Sequence, residues 1–268
     1  MERLTLLYKA LLCHTLKGIV FEHLSFLKPR RILEVCRCRL SIRLYPFYPV
    51  ILILGCFFNP TITSAETSLE FYGGYQTSPH SVVSGRYSQG SVEENSFVPF
   101  KFTAGWKGNS FSMPPYYGLR VTKWNMNRGW GLDFNHSKAY ADSATLLKSG
   151  FNRLQFTDGL NNLTVHQQRK LKSISGNLIP FYGYGIGMII PHVEVQSNIN
   201  SPLTFEYQYG GPTVAINGGF KLPLKKNKFL FAEYKFTASW LDVGLNGGGS
   251  LSTRIFTNAL NLGLGFDF

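Results

Sequence analysis

Apolar and polar positions alternate along most of residues 66–268, and the run at 260–268 shows it most plainly. Leu260, Leu262, Leu264, Phe266 and Phe268 are large and apolar, while Asn261, Gly263, Gly265 and Asp267 between them are small or polar. Strict alternation predicts a strand with one oily face and one polar face. Seven earlier segments repeat the pattern. The first, at about 68–76, sets Leu69, Phe71 and Tyr75 against Glu70, Tyr72 and Gln76. The next two, at about 115–124 and 129–138, set Tyr117, Leu119 and Val121 against Arg120 and Thr122, then Trp130, Leu132 and Phe134 against Asp133 and Asn135. Segments at about 160–169 and 178–192 follow, with Leu163 and Val165 against Asn162, Thr164 and His166, and Tyr182, Tyr184, Ile186 and Met188 against glycines. The sixth and seventh, at about 211–221 and 229–240, oppose Val214, Ile216 and Phe220 to Asn217, and Leu230, Tyr234 and Trp240 to Glu233 and Lys235.

The links decide the architecture. Those after the second, fourth and sixth strands are short (125–128, 170–177, 222–228), and those after the others are long, at about 77–114, 139–159, 193–210 and 241–256. An antiparallel up-and-down chain places alternate links at opposite ends, so all short turns share one end. Outer-membrane barrels have this asymmetry, with short periplasmic turns and long outer loops. The sequence therefore predicts an all-β fold, an eight-stranded antiparallel transmembrane barrel of the small OmpA/OmpX kind, in the bacterial outer membrane. The fragment 97–106 (FVPFKFTAGW) either extends the second strand or lies in the first long loop. Lipid cannot hydrogen-bond backbone, so such a sheet must close with its oily side outward. Glu70, Tyr72, Arg120, Asp133, Asn135, Asn162, Thr164, His166, Asn217, Glu233, Lys235 and Asp267 then form the interior, where both signs of charge can pair. A soluble lipocalin-like barrel would need the faces reversed, leaving an aggregation-prone exterior.

Charge changes the picture only at the start of the chain. The 268 residues carry 27 Lys/Arg and 15 Asp/Glu, a formal net charge of +12. Nine of those bases and three of those acids lie in residues 1–65, ahead of or beside the uncharged run Tyr45–Phe58 and the small residues Thr63, Ser64 and Ala65. Basic, then apolar, then small reads as a secretory signal peptide within a leader at 1–65, preceding a barrel domain at 66–268. The stretch ahead of the apolar run exceeds a usual n-region and is either a mis-assigned start or a long n-region. A lipoprotein box at Ile53–Cys56 is the rival, opposed by Phe57 and Phe58, which extend the apolar run. The basic balance is thus partly the leader's and is not read as nucleic-acid binding. All four cysteines (Cys13, Cys36, Cys38, Cys56) also fall there, so thiol chemistry is not expected of the barrel domain.

Common catalytic fingerprints are missing from residues 66–268. Four histidines remain: His80, His136, His166 and His192. His192 and Glu194 share one face of a strand, and with His136 they make a candidate divalent-metal set of two imidazoles and a carboxylate, the ligands of non-haem iron. Parity opposes the set, because His136 and His192 fall on the lipid-facing register. Pro191 cannot join a ladder and marks a place where a bulge re-aims His192. The segment 110–120 (SFSMPPYYGLR) reads as a stiff ledge for a bulky amphiphile, with Arg120 and Lys138 near its anionic groups and Tyr116 and Asn135 beside them.

The segments FYGGYQTSPHS (71–81), MPPYYGLR (113–120), GLDFNHSKAYAD (131–142), LQFTDGLN (154–161), PHVEV (191–195), TFEYQ (204–208) and TNALNLGLGFDF (257–268) resemble, in order, the lipid A oxidases of rhizobial outer membranes. The resemblance implies an enzyme that uses molecular oxygen to oxidise the proximal glucosamine of lipid A lacking its 1-phosphate. The product is 2-aminogluconate, with hydrogen peroxide as by-product. The expected partners are lipid A and lipopolysaccharide, outer-membrane lipids, and the outer-membrane assembly machinery acting through the last strand. Asp133, Asn135, His136, Asp158, His192 and Glu194 are expected to gather at the long-loop end, with Glu194 or Asp133 as base. Side chains alone are poor electron acceptors, so a divalent redox metal is the expected cofactor. Two other readings stand beside it: a non-enzymatic surface barrel serving adhesion or envelope stability, and a soluble periplasmic lipid carrier.

Overall fold

The alternating segments close into a ring. The computed structural model describes residues 66–88, 97–197 and 201–268; the leader expected at 1–65 lies outside them. Eight strands form the ring: β1 (Thr67–Thr77), β5 (Tyr117–Asn125), β6 (Arg128–His136), β9 (Asn162–Lys170), β10 (Ile179–Ile189), β13 (Gly211–Pro223), β14 (Lys228–Leu245) and β15 (Gly249–Asp267). They pair antiparallel in that order, and β1 pairs with β15 to complete the circle. The oily face points outward. Phe71, Val121, Trp130, Val165, Ile186, Ile216, Leu260 and Leu262 are exposed. A closed ring with an apolar exterior satisfies its backbone internally and defines an outer-membrane barrel.

The interior is filled by an ion-pair network. Cross-strand register places Glu70 beside Arg120 and Arg120 beside Asp133. The Arg120 guanidinium binds Glu70 at 2.8 Å, Asp133 at 3.0 Å and Glu233 at 2.8 Å. Lys221 pairs with Glu70, and Lys235 pairs with Asp133 at 2.9 Å. Three carboxylates thus face three cations, and Tyr72 donates to Asp133 at 2.6 Å. Below them Phe181, Phe229, Phe231 and Trp124 pack inward, with the Lys221 ammonium over three of those rings. Removing a charge from water costs several kcal/mol, and only mutual pairing of this kind offsets it.

The outer end differs from the expectation. β14 and β15 run to 18 and 19 residues, nearly twice the roughly 9–11 that cross a membrane. The expected loop at 241–256 is therefore mostly strand, turned at Asn246, Gly247 and Gly248. β2 (Ser81–Ser88) and β3 (Phe97–Ala104) add to the upper part of β15 as a hairpin, which places 97–106 in the first loop. The remaining long loops supply a second sheet: β4 (Trp106–Lys107), β7 (Ala139–Ala141), β8 (Arg153–Phe156), β11 (His192–Gln196) and β12 (Thr204–Tyr207), ordered β12-β11-β8-β7-β4. A helix, α1 (Ser143–Ser149), links β7 to β8; the Asp142 carboxylate caps it by accepting from Thr145 N. One face of the loop sheet (Leu154, Phe156, Val193, Val195) packs with Val83 of β2 and with Leu241, Val243, Leu251 and Ile255 of the projecting strands in an apolar core. Apolar alternation in this region thus serves a water-soluble core as well as the lipid belt.

Candidate functional site

The other face of the loop sheet carries the candidate chemistry. Register across it forms a row, Tyr140–Gln155–Glu194–Phe205, with His192 paired to Tyr207 on the next row. Strand β10 stops at Ile189 and a new strand starts at His192, so Pro191 ends one ladder and lets the next take a different direction. His192 N donates to Gly159 O at 2.9 Å, which draws the 157–161 loop over β11. Asp158, His192 and Glu194 come together there, each offering a ligand atom within 4.8 Å of the others.

The geometry of this trio is specific. His192 Nδ1 is buried and has no hydrogen-bond partner, yet it lies 3.5 Å from Asp158 Oδ2 and 3.5 Å from Glu194 Oε1. The ring is clamped between Phe205 and Tyr207, with centroids 4.5 and 4.7 Å away. Glu194 is held by three donors: Thr157 Oγ1, Gln155 Nε2 at 2.8 Å and Arg153 at 3.3 Å. Asp158 is half exposed. Tyr207 donates to the Asp158 backbone oxygen at 3.1 Å; burial, then the Asp158 charge, raises its pKa, so that donor stays protonated well into alkaline pH. Burial likewise raises the Tyr140 phenol, with Glu194 and Asp158 adding to the effect.

The site adjoins the lipid-facing wall. His136 keeps the outward register and stacks on Tyr117 at 5.1 Å, and the covering loop buries it. Its Nδ1–H donates to Asn161 Oδ1 at 2.9 Å. Gly159 lies so close that a Cβ there would fall 2.4 Å from His136 Nδ1, and its φ of +105° is in the region that favours glycine. The chain Tyr117–His136–Gly159–Asp158–Tyr207 therefore runs from the barrel exterior into the acid–imidazole trio.

Of the expected residues, the structure brings His192 and Glu194 together, with Asp158 in the place expected for His136. Asp133 does not gather at the rim. It is buried in the interior, tied to Arg120, Lys235 and Tyr72, and a carboxylate so engaged is not free to act as a base. Arg120 is likewise fully buried among three carboxylates and offers nothing to a ligand on the ledge. Tyr116 and Asn135 also point into the barrel and are buried. Lys138 donates from Nζ to Ser112 O at 2.8 Å, so it braces the ledge from beneath, where Phe111 and Met113 stay exposed; burial lowers its pKa. Thr157, Gln155, Arg153, Phe205 and Tyr207 were not expected. The signal for Arg153, Gln155, Phe205 and Tyr207 lay in the short alternations 153–156 and 204–207, too brief to separate strand from loop, and Thr157 follows in the loop.

The fold and the outward oily belt define an outer-membrane β-barrel protein. No family model and no curated protein matches the chain. Among solved structures, Neisserial surface protein A is similar over 75% of this chain and 97% of its own, with 10% identity and a TM-score of 0.42. The outer membrane protein AlkL is similar over 78% and 95%, with 12% identity and a TM-score of 0.40. The N-terminal β-barrel domain of Pseudomonas aeruginosa OprF is similar over 76% and 100%, with 15% identity and a TM-score of 0.33.

Proposed function

We propose that the protein is an outer-membrane enzyme that oxidises the proximal glucosamine of lipid A, with molecular oxygen as co-substrate. One observation carries the reading: the Asp158–His192–Glu194 trio lies on the loop-sheet face that continues into the lipid-facing wall at Tyr117 and His136. That height is the headgroup level of the outer leaflet, where the sugars of lipid A lie. The segments that resemble lipid A oxidases include the site residues themselves, in 154–161, 191–195 and 204–208.

The reaction in question removes two electrons and two protons from the anomeric C–H and O–H of a hemiacetal. Oxygen takes them up as hydrogen peroxide, and the resulting lactone adds water to give 2-aminogluconate. The donor set fits a divalent metal. Ligand atoms about 2.1 Å from a metal at a tetrahedral angle stand about 3.4 Å apart, close to the 3.5 Å between His192 Nδ1 and each carboxylate. Asp158, His192 and Glu194 would hold the metal, which would supply the electron acceptor that side chains lack. Glu194, fixed by Thr157, Gln155 and Arg153, is oriented as a ligand. Asp158 turns Oδ2 toward His192 and is half open to solvent, which leaves its other oxygen placed to take the hydroxyl proton. Phe205 and Tyr207, both more than half exposed, form an amphipathic wall for the sugar and its acyl chains.

The test is expression in a host whose outer membrane carries lipid A without the 1-phosphate. Mass spectrometry is expected to show one added oxygen on the proximal sugar under air, and none without oxygen or after His192→Ala. Unchanged lipid A in aerated, metal-supplied cells holding assembled barrel would refute the reading and leave a non-enzymatic surface barrel.

A further inference from the structure

A second built feature lies on the outer wall, on β13, β14, β15 and the β2–β3 hairpin rather than beside β5 and β6. A groove of about 650 Å³ is lined by His80, Lys101, Trp240, Asp242, Arg254 and Phe256, among others. Register explains its make-up. Trp240 pairs with Arg254, while Asp242, Ser252, Ser84 and Lys101 form one row across four strands. All these side chains take the outward parity, opposite to the buried Leu241, Val243, Leu251 and Ile255.

Height and charge identify an occupant. Trp240 stands twelve residues up β14 from Lys228 at the periplasmic end. At about 3.3 Å per residue and a tilt of about 40°, that is about 30 Å, just above an apolar belt about 25 Å tall. Trp240 is part exposed there, where an aromatic girdle meets headgroups. The cations are uncommitted. Neither Arg254 nor Lys101 makes an ion pair among the described residues, and the one acid, Asp242, accepts from Ser252 Oγ at 2.9 Å. A guanidinium and an ammonium held beside a Trp and a Phe at headgroup height match a ligand with an anionic group on a sugar and apolar chains beneath it.

We infer that this groove is a binding site for an anionic glycolipid of the outer leaflet, separate from the acid–imidazole site and independent of the oxidation reading. Arg254 and Lys101 bind the anionic group, and Trp240 and Phe256 bear on the chains.

The experiment uses the assembled barrel in phosphatidylcholine nanodiscs containing either lipopolysaccharide or phosphatidylglycerol, released into mild detergent and weighed by native mass spectrometry. The wild type is expected to retain lipopolysaccharide at least tenfold above phosphatidylglycerol. The double variant Arg254→Gln, Lys101→Gln is expected to lose that retention while migrating as a folded barrel. Equal retention by the double variant, or equal retention of the two lipids, overturns the proposal. A second measurement needs no charge variant: the fluorescence of Trp240, taken as the difference from Trp240→Phe, should shift on adding lipopolysaccharide. No shift at lipid excess equally overturns it.

Discussion

At the scale of single residues, the orphaned Nδ1 of His192 carries the most information. A buried ring nitrogen without a partner is costly, and here it faces two carboxylates at a separation too long for a hydrogen bond and suited to a shared ion. His192→Ala and Glu194→Ala are therefore expected to abolish stoichiometric metal in the purified barrel, measured by elemental analysis after dialysis, while His136→Ala leaves it unchanged. Loss of metal in His136→Ala as well would restore the two-imidazole set that the sequence suggests. Thr157 and Gln155 donate to Glu194 and would orient it toward a bound ion. Their alanine variants should weaken metal affinity by about 10–100-fold, the usual range for such supporting partners. His192 and Glu194 were legible because they sit two apart in a strand. Asp158 was legible only as one of several rim acids. Its role depends on the loop that Gly159 lets close against His136, a long-range contact that no local spacing encodes.

At the scale of elements, all eight ring strands and the inward and outward parity of each were legible, because a period of two is a direct record of which face meets lipid. Arg120, Asp133 and Glu233 were correctly inward, but the ledge and base roles expected of Arg120 and Asp133 conflicted with that same parity, and parity won. Arg120→Ala would leave three carboxylates facing two lysines inside the barrel. It is expected to destabilise the barrel by about 3–5 kcal/mol, seen as a lower urea midpoint in detergent, without removing the metal. The second sheet was not legible. Its strands span two to five residues, and their apolar positions pack against the projecting ends of β14 and β15 rather than against lipid. The site-bearing loop offers a contrasting variant. Gly159→Ala would drive a methyl group into His136 from a strained φ. It should reduce metal content while lowering the urea midpoint less than Arg120→Ala does, because a loop outside the ring can relieve the strain by opening locally.

At the scale of the whole molecule, every functional argument depends on which end of the barrel faces outward. Loop length says that the end with the 126–127 and 224–227 turns is periplasmic, and that the end bearing α1 and the loop sheet faces the medium. The barrel domain lacks cysteine, so single cysteines can report on this directly. Leu147 on α1 is 85% exposed, and Lys225 is exposed in the turn between β13 and β14. In intact cells a membrane-impermeant maleimide should label Leu147→Cys, and should label Lys225→Cys only after the outer membrane is breached. The opposite result would turn the barrel over. The acid–imidazole trio and the Trp240–Arg254 groove would then both face the periplasm, where no lipid A headgroup lies, and the two functional readings would fail together even though each rests on different residues.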